Sequence, residues 1–177
     1  DIFQVKISEA GGYANYLKKC FSDVHQIKVA IAYDSRNNSD YFARITADVF
    51  SANDIKVYLF DGLRPTPELS FAIRHFGCQG GIVITASHNP KEYNGYKAYW
   101  DDGGQLISPH DKNVIDEVNK IKDASEVNFS GNPDLVEIIG DAFDQLYIEK
   151  IKSLSLSPEV IQRQKDFKIT ISLRLHL

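Results

Sequence analysis

The chain has 177 residues, 43% hydrophobic and 25% charged, with a formal net charge of -4. That length holds one domain with a substantial core and leaves two independent cores crowded. No apolar run approaches the ~20 residues that span a bilayer and no Lys/Arg cluster offers a counterion-releasing surface, so neither membrane nor nucleic acid is an expected partner.

In chain order, Gly11 to Phe21 reads as a helix with Tyr13, Leu17 and Phe21 inward. Ile27–Tyr33 is a predicted strand, followed by Asp34-Ser35-Arg36 and by helical periodicity from about Asp40 to Asn53. Phe42, Ile45, Val49 and Phe50 share one side of that helix, with Ser39 as its N-cap. A second strand covers Ile55–Phe60. Arg64-Pro65-Thr66-Pro67 is a stiff loop opening a helix near Pro67, capped by Thr66, with Leu69, Phe71, Ile73 and Phe76 toward the sheet and Gly77 at its end. Gly81–Ile84 and Tyr96–Trp100 are strands, and Asn94-Gly95 between them favours a tight turn that returns the chain antiparallel. Asp101-Asp102-Gly103-Gly104 reads as a turn, because adjacent aspartates lack the alternating spacing of a calcium loop.

A helix over Pro109–Ile121 carries Val114, Val118 and Ile121, capped by Ser108. After a polar stretch from Ala124 to Pro133 come a helix from about Asp141 to Lys152, a shorter one after Pro158, and a strand over Phe167–Ser172 that leaves the domain. Cys20 and Cys78 have no spacing motif and read as reduced, packed thiols, which makes the cytoplasm the expected location. His25, His75, His110 and His176 show no ligand spacing, so zinc is not expected.

The alternation of short apolar runs with amphipathic ones predicts an α/β fold. Its form is a three-layer α/β/α sandwich around a four-stranded, mostly parallel sheet with one antiparallel strand. The Asp34-Ser35-Arg36 loop and the loop Thr85-Ala86-Ser87-His88-Asn89-Pro90 then leave strands at one edge of the sheet, where ligands bind in open α/β folds.

A serine hydroxyl is a poor nucleophile unless a neighbour takes its proton, and a phosphoryl group also needs its charge neutralised. His88 beside Ser87, and Lys97 folded back toward it, could supply both functions. Alone, such a Ser-His pair is a polar loop that satisfies its own backbone, Lys97 a solvated lysine, and Arg36 a partner of Asp34 or a helix cap. A serine hydrolase is disfavoured, because Gly-x-Ser-x-Gly is missing and the serine adjoins its supposed base in sequence.

Together, Val29-Ala30-Ile31-Ala32-Tyr33-Asp34-Ser35-Arg36, Arg64-Pro65-Thr66-Pro67-Glu68-Leu69-Ser70-Phe71, Thr85-Ala86-Ser87-His88-Asn89-Pro90, Tyr93-Asn94-Gly95-Tyr96-Lys97 and Asp102-Gly103-Gly104-Gln105-Leu106 resemble the α-D-phosphohexomutases, the phosphoglucomutase and phosphomannomutase enzymes. The resemblance implies that Ser87 carries a phosphoryl group, gives it to a hexose or pentose phosphate to make a bisphosphate, and takes another back. It further implies that the phosphoserine oxygen binds Mg²⁺ and that a hexose bisphosphate acts as activator. Lys97 becomes a candidate proton shuttle or charge stabiliser, His88 positions the phosphoryl group or sugar, and Arg36 and Asn89 support the phosphate. The Lys91-Glu92-Tyr93-Asn94-Gly95 form and the Trp100 ending look closest to the glucomutase and phosphopentomutase-like branch.

The same resemblance implies a four-domain enzyme, of which residues 1–150 are the first domain and 151–177 a linker and the start of the next. The remaining domains of the polypeptide and a sugar phosphate are the implied partners. The Asp-Gly-Asp-Gly-Asp-Arg loop, the Gly-Glu-x-Ser-Gly loop and the late phosphate-gripping loop are not found, nor is the opening Gly-x-Gly-x-Arg-Gly, and the tail from Thr170 departs from the family pattern. The expectation is a truncated or altered chain with little or no mutase activity alone. The alternative is a noncatalytic module that binds a phosphosugar or a partner.

Overall fold

Three apolar runs lie side by side at the centre of one sheet in the computed structural model, which describes residues 2–168. Lys28–Tyr33 (β1) pairs in parallel with Lys56–Phe60 (β2), Ala30 opposite Tyr58, and on its other side with Gly80–Ile84 (β3), Tyr33 opposite Ile84. Burial on both faces explains why these strands are nearly continuous apolar sequence. Tyr96–Trp100 (β4) runs antiparallel to β3, with Lys97 opposite Val83, and Val136–Ile139 (β5) extends the sheet in parallel beyond β2. The order is β4-β3-β1-β2-β5.

The helices are Ile2–Cys20 (α1), Ser39–Ala52 (α2), Thr66–Phe76 (α3), His110–Lys120 (α4), Asp141–Ser153 (α5) and Pro158–Arg163 (α6). Side chains of α1, α2 and α4 pack with Val29, Ile31, Val57, Leu59, Ile82 and Ile84 on one face of the sheet. Those of α3 and α5 pack with Ala30, Ala32, Phe60, Val83 and Ile139 on the other. The α/β/α sandwich with one antiparallel strand is therefore present, with five strands where four were expected.

Several local expectations need correction. α1 begins at Ile2 and passes through Gly11-Gly12. A Cβ at Gly12 would stand 2.4 Å from Val118 Cγ2, and one at Gly11 2.8 Å from Val127 Cγ1, so these glycines buy a close approach at the expense of local helix propensity. Ser39 is the first residue of α2, whose N-cap is Asn38. Thr66 opens α3 behind Pro65, and α4 starts at His110 behind Pro109 instead of being capped by Ser108. Asn94 and Gly95 both lie outside the left-handed region, and the chain reverses over the whole segment from Thr85 to Gly95. Cys78 is buried as expected, whereas Cys20 is exposed. The turn after Trp100 is found, with Gly104 N–H donating to Asp102 Oδ1 at 2.7 Å. The strand expected over Phe167–Ser172 lies outside the described residues after Lys168.

Candidate functional site

The parallel pairing of β1 and β3 brings their ends to one level, and Asp34 N–H donates to the Ile84 carbonyl at 3.2 Å. From there the two following loops are cross-linked through their side chains. The Asp34 carboxylate collects four donors: Arg36 N–H at 3.2 Å, Arg36 Nε at 3.0 Å, Ser39 Oγ at 3.1 Å and Thr85 Oγ1 at 2.6 Å. Thr85 Oγ1 in turn accepts the Ser87 N–H at 3.1 Å.

Arg36, only 9% exposed, closes the other side. Its Nη1 donates to the carbonyls of Asn89 (2.7 Å), Pro90 (2.8 Å) and Tyr93 (3.3 Å), and its Nη2 to the Ser87 carbonyl. Farther along, Asn94 Nδ2 donates to Asn37 O at 2.9 Å and to Ser39 Oγ at 3.1 Å, while Asn37 N–H donates to Lys91 O at 3.1 Å. A guanidinium presents a planar fork of donors that an ammonium cannot reproduce.

Ser87 itself has φ 59°. The left-handed region costs an L-residue about 1–2 kcal/mol, and such strain persists where surrounding contacts over-determine the backbone. Here the Ser87 N–H is held by Thr85 and its carbonyl by Arg36. The side chain is exposed, with Oγ 3.2 Å from Nδ1 of the equally exposed His88.

The structure thus brings Ser87 and His88 together and places Arg36 beneath them. Asn89 contributes its backbone carbonyl to Arg36 and leaves its side chain exposed. Lys97 is half-buried on β4, where its backbone lies opposite Val83, and its ammonium makes no hydrogen bond or ion pair with Ser87 or any other described residue. Asp34, Thr85, Ser39 and Asn94 were not among the expected site residues. Their signal lay in position, since Asp34 and Thr85 each directly follow a strand that ends at this edge.

Among the described residues no cluster of three His, Cys, Asp or Glu side chains could hold a metal ion. Asp34, the carboxylate nearest to the loop in this network, already has four donors and does not fit the role of a metal ligand.

Residues 5–125 match the family model described as phosphoglucomutase/phosphomannomutase, alpha/beta/alpha domain I. The chain is 46% identical over 114 residues to human phosphopentomutase, covering 61% of this chain and 19% of that protein. It is 38% identical over 159 residues to the Haemophilus influenzae protein named "Probable phosphomannomutase", covering 88% of this chain and 32% of that one. The open form of a Paramecium phosphoglucomutase (pp63/parafusin) shares the fold with a TM-score of 0.67 at 21% identity, over 84% of this chain and 31% of that one. The chain therefore spans about a fifth to a third of these relatives.

Proposed function

The chain belongs to the phosphoglucomutase/phosphomannomutase family, and from that premise we propose that Ser87 carries the phosphoryl group of a sugar-phosphate mutase. The observation that carries this reading is the clamped serine: an exposed hydroxyl on a left-handed residue whose backbone is fixed on both sides. Positioning of this kind is most of what a protein contributes to phosphoryl transfer.

In the proposed cycle a hydroxyl of the bound sugar phosphate attacks the phosphorus of phosphoserine. The P–O bond to Ser87 breaks, the sugar proton leaves to a base, and a bisphosphate forms. Its other phosphoryl group then returns to the Ser87 oxygen. His88, whose Nδ1 lies 3.2 Å from Oγ, is proposed to hold or accept a proton there. Lys97 is proposed to neutralise charge on the transferring group, Arg36 to position the loop, and Asn89 to support the phosphate.

A divalent ion such as Mg²⁺ would supply Lewis-acid charge neutralisation. Of the residues on this loop only Ser87, through its phosphate oxygens, is a candidate ligand, so the carboxylates of such a site would come from elsewhere in the polypeptide. A hexose bisphosphate is the proposed activator, a hexose or pentose phosphate the substrate, and the cytoplasm the proposed location. Residues 1–150 are proposed as the first domain, with the connection to the next from residue 151. On this reading the 177-residue chain has little or no turnover alone.

The test is peptide mapping by mass spectrometry after incubation with a hexose 1,6-bisphosphate. Phosphate on Ser87, absent from Ser87→Ala, supports the proposal. Sugar-phosphate binding with Ser87 never phosphorylated, in this chain or in a full-length relative carrying its sequence, replaces it with a noncatalytic binding module.

A further inference from the structure

The loop between β2 and α3 leaves the sheet at the Ser87 edge and carries Arg64, whose N–H donates to Tyr33 O at 3.3 Å. The Arg64 guanidinium holds Asp144 Oδ1 at 2.7 Å and Asp61 Oδ1 at 3.1 Å, with Asp141 Oδ1 at 4.0 Å. A fourth carboxyl, Glu68 on the first turn of α3, is 4% exposed, and its Oε1 has no hydrogen-bond partner. Its side chain meets that of Asp144 on the first turn of α5.

One guanidinium therefore lies within 4.0 Å of three carboxylates, and the most deeply buried carboxyl of the junction, Glu68, has no ion pair. The remaining groups around this junction are Tyr147 from α5, Tyr33 from β1 beside Asp61 and Arg64, and Tyr99 from β4 beside Thr66. Arg74, His75 and Lys150 line the groove between α3 and α5 farther along.

We propose that Glu68 and Asp144 share one proton, and that its loss to solvent as pH rises loosens the first turn of α5 from α3, making this junction a pH-sensitive latch. A desolvated carboxyl without a paired cation keeps its proton. Protonated Glu68 donates its O–H to the Asp144 carboxylate, which Arg64 holds from the other side. Burial above all, then the hydrogen bond and charge of Asp144, push Glu68 up to about 7 against the pull of Arg64. The bond to Arg64 holds Asp144 below its ordinary range. Once the proton leaves, two carboxylates share that guanidinium. The other contacts between the helices are aromatic: Phe143 lies against Phe71, Phe76 and His75 at ring separations of 5.4, 5.1 and 5.4 Å, and Tyr147 against Phe71 at 5.7 Å.

The sign is fixed by linkage. A carboxyl raised in the folded state contributes stability fully below its unfolded value, and that contribution is lost as pH climbs through the folded one. The latch does not depend on what Ser87 carries.

The experiment uses the full 177-residue chain. Carbon-13 NMR of the Glu68 carboxyl should show titration near neutrality. Amide exchange at residues 141–147, corrected for intrinsic rates and referenced to α2, should lose about tenfold protection between pH 6 and 8. Glu68→Gln should abolish that loss, and Asp144→Asn should move the Glu68 titration downward. Titration of Glu68 in the ordinary carboxylate range, α5 protection that does not change with pH, or a Glu68 titration indifferent to Asp144→Asn would each overturn the proposal. The wild-type titration decides the matter even if Glu68→Gln does not fold.

Discussion

Thr85 Oγ1 donates to Asp34 Oδ2 at 2.6 Å across the adjoining ends of β3 and β1, and the same oxygen accepts the Ser87 N–H. A carboxylate from one strand end thereby sets the backbone of a serine that follows the other. Thr85→Val keeps the shape and removes both bonds. It should lower stability by about 1.5–3 kcal/mol, the range for a hydrogen bond to a charged group, read as a shifted urea midpoint. Phosphate uptake by Ser87 should fall as well, in the same peptide-mapping assay.

Arg36→Ala should be the most damaging change at this edge. It removes the cation paired with Asp34, which keeps its hydroxyl donors Ser39 and Thr85 and the main-chain N–H of residue 36. It also takes the guanidinium from the carbonyls of Ser87, Asn89, Pro90 and Tyr93, of which Pro90 O retains the Tyr93 N–H at 3.0 Å. Breaking a buried charge pair from one side costs about 3–5 kcal/mol. Arg36→Lys should recover only part of that loss, because one ammonium cannot span these acceptors. Equal denaturation midpoints for Arg36→Lys and wild type would contradict this picture.

Ser87→Gly and Ser87→Ala both remove the hydroxyl but differ in backbone freedom. At φ 59° the glycine variant should be more stable than the alanine variant by about 1 kcal/mol. Thermal melts of the pair compare them directly.

The glycine pair in α1 yields a prediction of the opposite sign. Gly12→Ala gains up to about 1 kcal/mol of helix propensity, yet its Cβ would stand 2.7 Å from the Val118 backbone, which cannot swing aside. Overpacking of this kind costs about 1–3 kcal/mol, so a lowered melting temperature is expected.

That pair also shows where the sequence was hard to read. Gly11-Gly12 looks like a helix start to any argument from local propensity, and only the closeness of Val118 and Val127 explains why the helix runs through it. β5 was missed for a related reason. Val136-Glu137-Ile138-Ile139 is short, half-exposed and set in polar sequence, and it pairs on one side only, with β2. β1, β2 and β3 were legible because burial on both faces demands continuous apolar runs. Ser87 and His88 were legible as a pair because they are adjacent. The pairing of Arg36 with Asp34 was legible as well, but its bonds to four loop carbonyls were not, because backbone carbonyls carry no signature in sequence. The Asn94-Gly95 turn failed because the left-handed residue of this connection is Ser87 instead.

The thiols should separate by reactivity. Burial pushes Cys78 up to about 12, with Lys28 pulling weakly the other way, whereas Cys20 is exposed. A thiol reagent at pH 8 should label Cys20 in the native chain and both cysteines after denaturation. A raised thiol adds stability that is intact below its unfolded value and drains away as pH rises toward the folded one. Cys78→Ala should therefore flatten the fall in stability between about pH 9 and 12, measured by urea titration at each pH.

The bearing of the Ser87 oxygen is inherited from a rotation of the main chain, which has consequences for what can stand in its place. Threonine would preserve the reactive atom, but its branched carbon resists positive φ. Ser87→Thr would therefore keep the chemistry's ingredient while forfeiting its aim, so the fold discriminates between two alcohols before any ligand arrives.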